Sequence, residues 1–168
     1  MVTYILGVVC AFLLLGADQL TKYLISSNMT LGEGKEFING IIDIVYIHNT
    51  GGAWGMLSGY TWVLLSLTVI AMLVCITLLL KSGMKSKLLF WSICLIISGG
   101  IGNFIDRIFR GGNVVDFLHF EFWPTFPIFN VADICVVVGA GLLVLYFIID
   151  TVKESKKAKI KSEIEENE

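Results

Sequence analysis

Four long stretches without a charged side chain constrain this sequence more than any other feature. They cover residues 1–17, 51–80, 88–105 and 134–149. A helix needs roughly 20 residues to cross about 30 Å of hydrocarbon, and its ends can borrow a turn from the flanking residues. The sequence therefore predicts a mainly α membrane protein, with four transmembrane helices at roughly residues 2–25, 56–81, 87–106 and 132–152.

The composition agrees with residence in a membrane and argues against other classes. Charged residues make up 15% of the 168 residues, whereas soluble domains average about 25%. No basic stripe with interleaved aromatic residues indicates nucleic-acid binding. The four cysteines lie in the apolar stretches without C-x-x-C spacing, and the two histidines have no partner at zinc-site spacing. We therefore expect no metal site.

The lysines indicate how the chain is oriented. They cluster in the short loop after the second helix and in the tail at residues 153–168, as Lys81, Lys85, Lys87, Lys153, Lys156, Lys157, Lys159 and Lys161. The positive-inside rule places both groups, and therefore both termini, in the cytoplasm. The connections at roughly residues 26–55 and 107–131 then lie outside. We expect residues 1–168 to form a single domain with a cytoplasmic tail.

The two outer connections carry strand signals. Asn39 and Gly40 lie between β-branched runs, which is a strong hairpin signal, and residues 114–122 also resemble a strand. Aromatic residues crowd the same level, as Trp54, Tyr60, Trp62, Phe117, Phe120, Phe122, Trp123, Phe126 and Phe129. They suit a belt at headgroup level and also a sheet on the membrane. We expect a small β-sheet or hairpin subdomain on the outer surface.

Acidic and amide residues gather at the outer ends of the helices. They are Asp18, Asn49, Asn103, Asp106, Asp116, Asn130 and Asp133. An ionisable group at membrane depth costs a few kcal/mol, so such a group is by default a functional-site hypothesis. Asp18 and Lys22 have the i, i+4 spacing of a helical ion pair. Asp106 adjoins Arg107, and both acids therefore fit a structural charge cluster.

Asp116 and Asp133 differ from the other acids because they have apolar neighbours and no adjacent cation. Desolvation raises a carboxyl pKa, and a second carboxyl raises one of the two further. Aspartic proteases use such a pair, one protonated and one ionised, to activate a water molecule. Asp116 and Asp133 are therefore the favoured acid–base pair, although the spacing equally permits Asp106 with Asp133.

Two other classes of function are alternatives to an enzyme that activates water with an acid–base pair. An ion or proton transporter also needs intramembrane carboxylates, but it predicts them at mid-helix, where this sequence has only hydroxyl groups. A scaffold protein would leave the clustered Asp and Asn residues without a role. The residues themselves therefore favour hydrolysis.

Five blocks of residues give the sequence a family resemblance. They are DQLTK at 18–22, NTGGAWG at 49–55, GGIGNFIDR at 99–107, VVDF at 114–117 and FNVAD at 129–133. In this order, at the helix ends of a four-helix protein, they resemble the lipoprotein signal peptidases, the bacterial signal peptidase II family. One departure is Gly52, which replaces the first alanine of the family's common Asn-x-Gly-Ala-Ala and affects the fine shape of that turn.

The resemblance implies an aspartic endopeptidase of the bacterial cytoplasmic membrane that needs no metal or organic cofactor. It implies a prolipoprotein substrate, cleaved near the outer face before a cysteine that carries a diacylglyceryl group. The expected surroundings are membrane lipid, without nucleic acid or an obligate protein partner. By the family's motifs, Asp116 and Asp133 are catalytic. The residues implied to bind substrate or support the site are Asp18, Lys22, Asn49, Gly51, Asn103, Asp106, Arg107 and Asn130.

Two finer expectations concern roles within this set. Asn103 and Arg107 are expected to position the loops that carry the two aspartates. Asn49 or Asn130 is expected to hydrogen-bond the substrate backbone.

Overall fold

The computed structural model describes residues 1–82 and 86–165, apart from the side chains at 161, 163 and 165. Its helices are α1 Val2–Asn28, α2 Thr61–Ser82, α3 Lys87–Phe109 and α4 Val131–Glu165. Its strands are β1 Gly34–Ile38, β2 Ile42–Asn49 and β3 Val114–Phe120. Each of the four helices is long and apolar enough to cross a membrane. The prediction of a mainly α membrane protein with a small sheet is confirmed.

The helices α1 and α3 each end three residues later than predicted, and the other two differ more from the predicted bounds. The second was expected from about residue 56, but α2 begins at Thr61. Gly55 and Gly59 precede it with φ angles of +67° and +84°, which interrupt helical backbone. The last was expected to end at about residue 152, but α4 continues through Glu165, because the tail is rich in Lys and Glu, which favour helix. Of the lysines predicted to be cytoplasmic, Lys85 and the side chain of Lys161 lie outside the described residues.

The three strands form one antiparallel sheet in the order β1-β2-β3. The hairpin predicted at Asn39 and Gly40 joins β1 to β2, and Gly40 has the φ of +73° that such a tight turn requires. In the second pair, Asn49 of β2 lies opposite Val114 of β3. Diagonal neighbours in a sheet are within reach of longer side chains, so this register brings Asn49 close to Asp116.

The sheet packs against one end of the helix bundle, which we call the sheet end. The last residues of α1 and α3 and the first residues of α2 and α4 lie there. Tyr46, Val115 and Phe117 form a buried cluster with Ile25 of α1 and Val131 of α4. This cluster fixes β3 against the start of α4, the two segments that carry Asp116 and Asp133.

Glycines of α3 let its neighbours approach closely. A Cβ atom at Gly99 would overlap the main-chain carbonyl oxygen of Ala132 in α4, and one at Gly102 would lie 2.5 Å from Oδ2 of Asp18 in α1. Small residues serve this purpose in membrane helices. Helix α3 contacts the other three helices, and it is therefore the central element on which the site is assembled.

Candidate active site

Asp116 lies on β3, and its side chain is buried from solvent. Asn49 Nδ2 donates a hydrogen bond to Oδ2 at 2.8 Å, and Asn130 Nδ2 donates to Oδ1 at 2.6 Å. Burial and, to a smaller extent, the charge of Asp133 raise the pKa of Asp116 to about 7, against the opposing effect of the two hydrogen bonds and of the charge of Lys22. Near neutral pH the Asp116 carboxyl therefore exists in both protonation states.

Asp133 lies in the first turn of α4 and belongs to a capping box. Asn130 Oδ1 accepts a hydrogen bond from the Asp133 main-chain N–H at 2.9 Å, and Asp133 Oδ2 accepts one from the Asn130 N–H at 3.1 Å. Such reciprocal bonds satisfy the free N–H groups at a helix start. The other oxygen, Oδ1, accepts from Asn103 Nδ2 at 2.7 Å. Both oxygens of Asp133 are thus held by neutral donors.

Asn130 connects the two acidic residues. Its side-chain amide donates to Asp116, and its main-chain N–H donates to Asp133. The residue is fully buried, so these contacts are shielded from competing water. The chain between β3 and α4 therefore folds Asp133 back towards Asp116, as the favoured pair requires.

Asp106, the alternative partner for Asp133, is engaged elsewhere. Its oxygens lie 3.2 Å from Lys22 Nζ and 3.2 Å from Arg110 Nε, and Oδ2 accepts a hydrogen bond from the Val115 N–H at 3.1 Å. The geometry thus favours Asp116 over Asp106 as the partner of Asp133. The adjacent Arg107, the cation of the sequence interpretation, interacts with Asp106 through its charge, whereas the direct ion pairs are those with Lys22 and Arg110. Neighbouring residues on a helix point in different directions, whereas residues at i, i+4 face each other.

Lys22 and Asp18 form the ion pair that their spacing predicts, at 3.0 Å. The pair is buried, with side-chain exposures of 0% for Lys22 and 2% for Asp18. Lys22 Nζ also donates to Asn103 Oδ1 at 2.9 Å. An isolated buried charge is costly unless it is paired and hydrogen-bonded, and Lys22 has such partners on α3 as well as on its own helix.

Arg107 lies beside the two aspartates, but few of its donors are used. Nη1 donates to the Asn103 carbonyl oxygen at 3.4 Å. Within the described part of the chain, Nε of Arg107 is the buried side-chain polar atom that lacks a hydrogen-bond partner. Its charge interacts favourably with Asp133 and Asp116. Native proteins rarely leave such a donor unpaired, so Arg107 has hydrogen-bonding capacity to offer to another molecule.

Asn49 organises the turn after β2. Besides its bond to Asp116, Nδ2 donates to the Gly52 carbonyl oxygen at 3.1 Å, and Oδ1 accepts from the Gly51 N–H at 2.9 Å. Gly51 is needed for close approach, because a Cβ atom there would lie 2.6 Å from the Gly55 carbonyl group. Gly52 has a φ of +70°, so in this chain the departure from the family pattern places glycine where its conformational freedom is used.

The amide groups of the asparagines hold the two aspartates. Those of Asn49 and Asn130 donate to Asp116, and a hydrogen bond from Asn49 or Asn130 to the substrate backbone stays a prediction. Asn103 holds Asp133, in line with its expected positioning role.

Sequence reasoning missed two residues of the charge cluster. Arg110 pairs with Asp106, and its i, i+4 spacing is a signal that could have identified it. Gln19 donates to Oδ2 of Asp18 at 3.1 Å and to the Gly102 carbonyl oxygen at 3.1 Å. Gln19 lies in the first family block, but its bond to the Gly102 carbonyl oxygen depends on the packing of α1 against α3, which the sequence pattern does not encode.

Comparison with known proteins identifies this arrangement. The family model for Signal peptidase (SPase) II matches residues 10–149. The chain belongs to the signal peptidase II family. A lipoprotein signal peptidase of Enterococcus faecalis is 45% identical over 147 residues, which are 88% of this chain and 89% of the relative. Another, of Bacillus pumilus, is 43% identical over 84% of this chain and 92% of the relative.

Solved structures agree with this assignment. One bacterial membrane enzyme has a TM-score of 0.81 and 34% identity, covering 90% of each chain. A second has a TM-score of 0.76 and 33% identity, covering 88% of this chain and 93% of the other. This member of the signal peptidase II family is therefore a multi-pass membrane protein and a protease, and the resemblance carried by the five blocks is confirmed.

Two cavities lie in different parts of this signal peptidase II fold. One of about 410 Å³ borders the Asn49 turn, with walls that include His48, Trp54, His119 and Phe126. The other, of about 420 Å³, lies away from the sheet end and is lined by Ser82 at the end of α2 and Asp150 of α4, among others. Only the first adjoins the residues that hold Asp116. Among the described residues, no group of three or more His, Cys, Asp or Glu could hold a metal ion.

Proposed function

We propose that this protein is an aspartic endopeptidase that removes the signal peptide from prolipoproteins by cleaving before a diacylglyceryl-modified cysteine. Membership of the signal peptidase II family and the names of the relatives support the removal of signal peptides from prolipoproteins. The observation that supports the aspartic mechanism is the position of Asn130, which hydrogen-bonds Asp116 and Asp133 at once.

The two carboxyl groups share one proton and hold one water molecule in this mechanism. Asp116, with a pKa of about 7, carries the proton, and Asp133 is the carboxylate. The oxygen of the water molecule attacks the scissile carbonyl carbon, and Asp133 takes a proton from that water. At the same time Asp116 donates its proton to the carbonyl oxygen. The gem-diol then collapses: one of its hydroxyl protons returns to Asp116, the C–N bond breaks, and Asp133 passes its proton to the leaving amine.

Arg107 is the residue best placed to contact the substrate. Its Nε has no partner among the described residues, and its charge already interacts with both aspartates. A carbonyl oxygen of the substrate would satisfy this donor and align the scissile bond. Asn49, Asn103 and Asn130 are positioning residues in this scheme because their amide groups hold the carboxylates.

The orientation of the protein follows from its lysines. Lys81, Lys87 and Lys153 lie at the end of the bundle opposite the sheet, and the positive-inside rule places them in the cytoplasm. Both termini are then cytoplasmic, and the site lies near the outer face. The substrate enters sideways from the lipid, and the cavity of about 410 Å³ beside Asn49 receives the chain that follows the cleavage site.

A cleavage assay in detergent tests the proposal. The substrates are a diacylglyceryl-modified prolipoprotein and its unmodified precursor, and the variants are Asp116→Asn, Asp133→Asn and, as a matched carboxylate control, Asp106→Asn. We expect the wild type to cut only the modified substrate and the Asp116 and Asp133 variants to be inactive while folded. Full activity of folded Asp116→Asn would overturn the assignment of the pair, and cleavage of the unmodified precursor at the same rate would overturn the proposed specificity.

A further inference from the structure

We propose that Lys22, Asp18 and Asp106 form a buried clamp that sets the position of Asp133 relative to Asp116. The three residues are positioning residues: they do not touch the substrate, and apart from the charge of Lys22, which lowers the pKa of Asp116, they act through the main chain and through Asn103. The inference rests on the proposed function of Asp116 and Asp133, and it assigns the charge cluster a role beyond stability.

Each carboxylate of the clamp holds the residue just before one of the two aspartates. Asp18 Oδ1 accepts a hydrogen bond from the main-chain N–H of Ala132, which precedes Asp133, at 2.9 Å. Asp106 Oδ2 accepts one from the N–H of Val115, which precedes Asp116, at 3.1 Å. Charge-assisted hydrogen bonds of this kind are about twice as strong as neutral ones. The backbone at both aspartates is therefore fixed to α1 and α3.

Lys22 joins the two halves of the clamp. Its Nζ lies 3.0 Å from Asp18 and 3.2 Å from Asp106, and the side chains of all three are at most 2% exposed. The third contact of Nζ, to Asn103 Oδ1 at 2.9 Å, also fixes the orientation of that amide. With its oxygen facing Lys22, Asn103 presents Nδ2 to Asp133. Lys22 thus holds all three side chains that position the two aspartates, which are Asp18, Asp106 and Asn103.

The charge balance explains why Lys22 is needed. Asp18 and Asp106 carry two negative charges, and Lys22 and Arg110 carry two positive charges. Without Lys22, the two carboxylates face each other in a poorly screened environment, where like charges repel more strongly than in water. Repulsion would move α1 away from α3. Because Ala132 is attached to Asp18 of α1 and Val115 to Asp106 of α3, the segments that carry Asp133 and Asp116 would move apart as well.

The first variant is Lys22→Met, which removes the cation and keeps a long apolar side chain. A displacement of about 1 Å at a catalytic group can cost about 100-fold in rate, so we expect kcat to fall by about that factor. KM for the lipidated substrate should stay within about threefold, because the clamp does not contact the substrate. Lys157→Met, which replaces a lysine that is 74% exposed on the tail helix, is the matched control and should retain wild-type kcat.

A rescue variant separates positioning from simple stability. Lys22→Met combined with Asp18→Asn restores the charge balance, and the new amide oxygen can still accept from the Ala132 N–H. We expect its kcat to exceed that of Lys22→Met by about tenfold or more, the non-additivity typical of coupled neighbours. If Lys22→Met does not fold, Asp18→Asn and Asp18→Ala are compared instead, and Asn should have the higher kcat because only it keeps the acceptor for Ala132.

The outcomes distinguish the clamp from the proposed function. Wild-type kcat in folded Lys22→Met, or in Asp18→Ala, would overturn the clamp alone, since the wild type still cleaves and Asp116→Asn does not. A loss of activity that follows the melting temperature in every variant, without rescue, would also overturn it. If wild type and Asp116→Asn cleave equally, the proposed function fails instead.

Discussion

The hydrogen bond from Asn49 to Asp116 should set the upper pH limit of activity. It joins Asn49 Nδ2 to Asp116 Oδ2 at 2.8 Å and favours the ionised carboxylate. A hydrogen bond to a charged group contributes about 1.5–3 kcal/mol, and about 1.4 kcal/mol corresponds to one pH unit in a pKa. The change Asn49→Ala should therefore raise the pKa of Asp116 by about one to two pH units from its value of about 7.

The sign of the effect on activity follows from the role of Asp116. In the proposed mechanism Asp116 must hold a proton, so activity is lost as the pH rises through the upper apparent pKa of the pair. A higher pKa keeps the proton in place to higher pH. In the wild type the basic limb of kcat/KM against pH should have its midpoint near 7, and in Asn49→Ala it should move to about 8–9, even if the maximal rate is lower.

The assay is the initial rate of cleavage of a lipidated prolipoprotein in detergent, measured from pH 5 to 10 in buffers of constant ionic strength. Asn28→Ala, in which the lost amide donates to the Leu24 carbonyl oxygen of its own helix, is the matched control and should keep the wild-type profile. An unchanged basic limb in Asn49→Ala, or one that moves to lower pH, would refute the reasoning that this bond stabilises ionised Asp116.

Three further changes test the packing around the site. Asn130→Ala removes the cap of α4, worth about 0.5–2 kcal/mol, and should lower both the melting temperature and the cleavage rate; an active variant with a wild-type melting temperature would contradict this. Gly102→Ala places a Cβ atom 2.5 Å from Asp18 Oδ2 and should lower the melting temperature, whereas Gly16→Ala, whose Cβ would meet no described atom within 4 Å beyond its own stretch of helix, should not. Ser98→Ala removes a 2.8 Å hydrogen bond to α1 and should cost about 0.6–1 kcal/mol of unfolding free energy without changing kcat.

Much of the candidate site could be predicted because its signals are local. Asp116 and Asp133 have apolar neighbours in the chain, and this alone implies desolvation. The Asp18–Lys22 pair follows from i, i+4 spacing. For Asp106 the sequence indicated the adjacent Arg107, whose charge does interact with it, but it did not indicate the direct ion pair with Lys22, because that pair depends on how α1 packs against α3. The bond from Asn49 to Asp116 was not predicted either, since that contact depends on the register between β2 and β3.

The sequence by itself determined the elements of this protein. Apolar runs long enough for the bilayer specify the four helices, and Asn39 with Gly40 specifies the hairpin, because both signals act over a few residues. Only the tertiary structure decided which polar groups meet. The bond from Ala132 to Asp18 joins residues 114 positions apart, and it exists because the glycines of α3 let α1 and α4 approach within hydrogen-bonding distance. Side-chain pairing across helices depends on that approach, which no local pattern encodes.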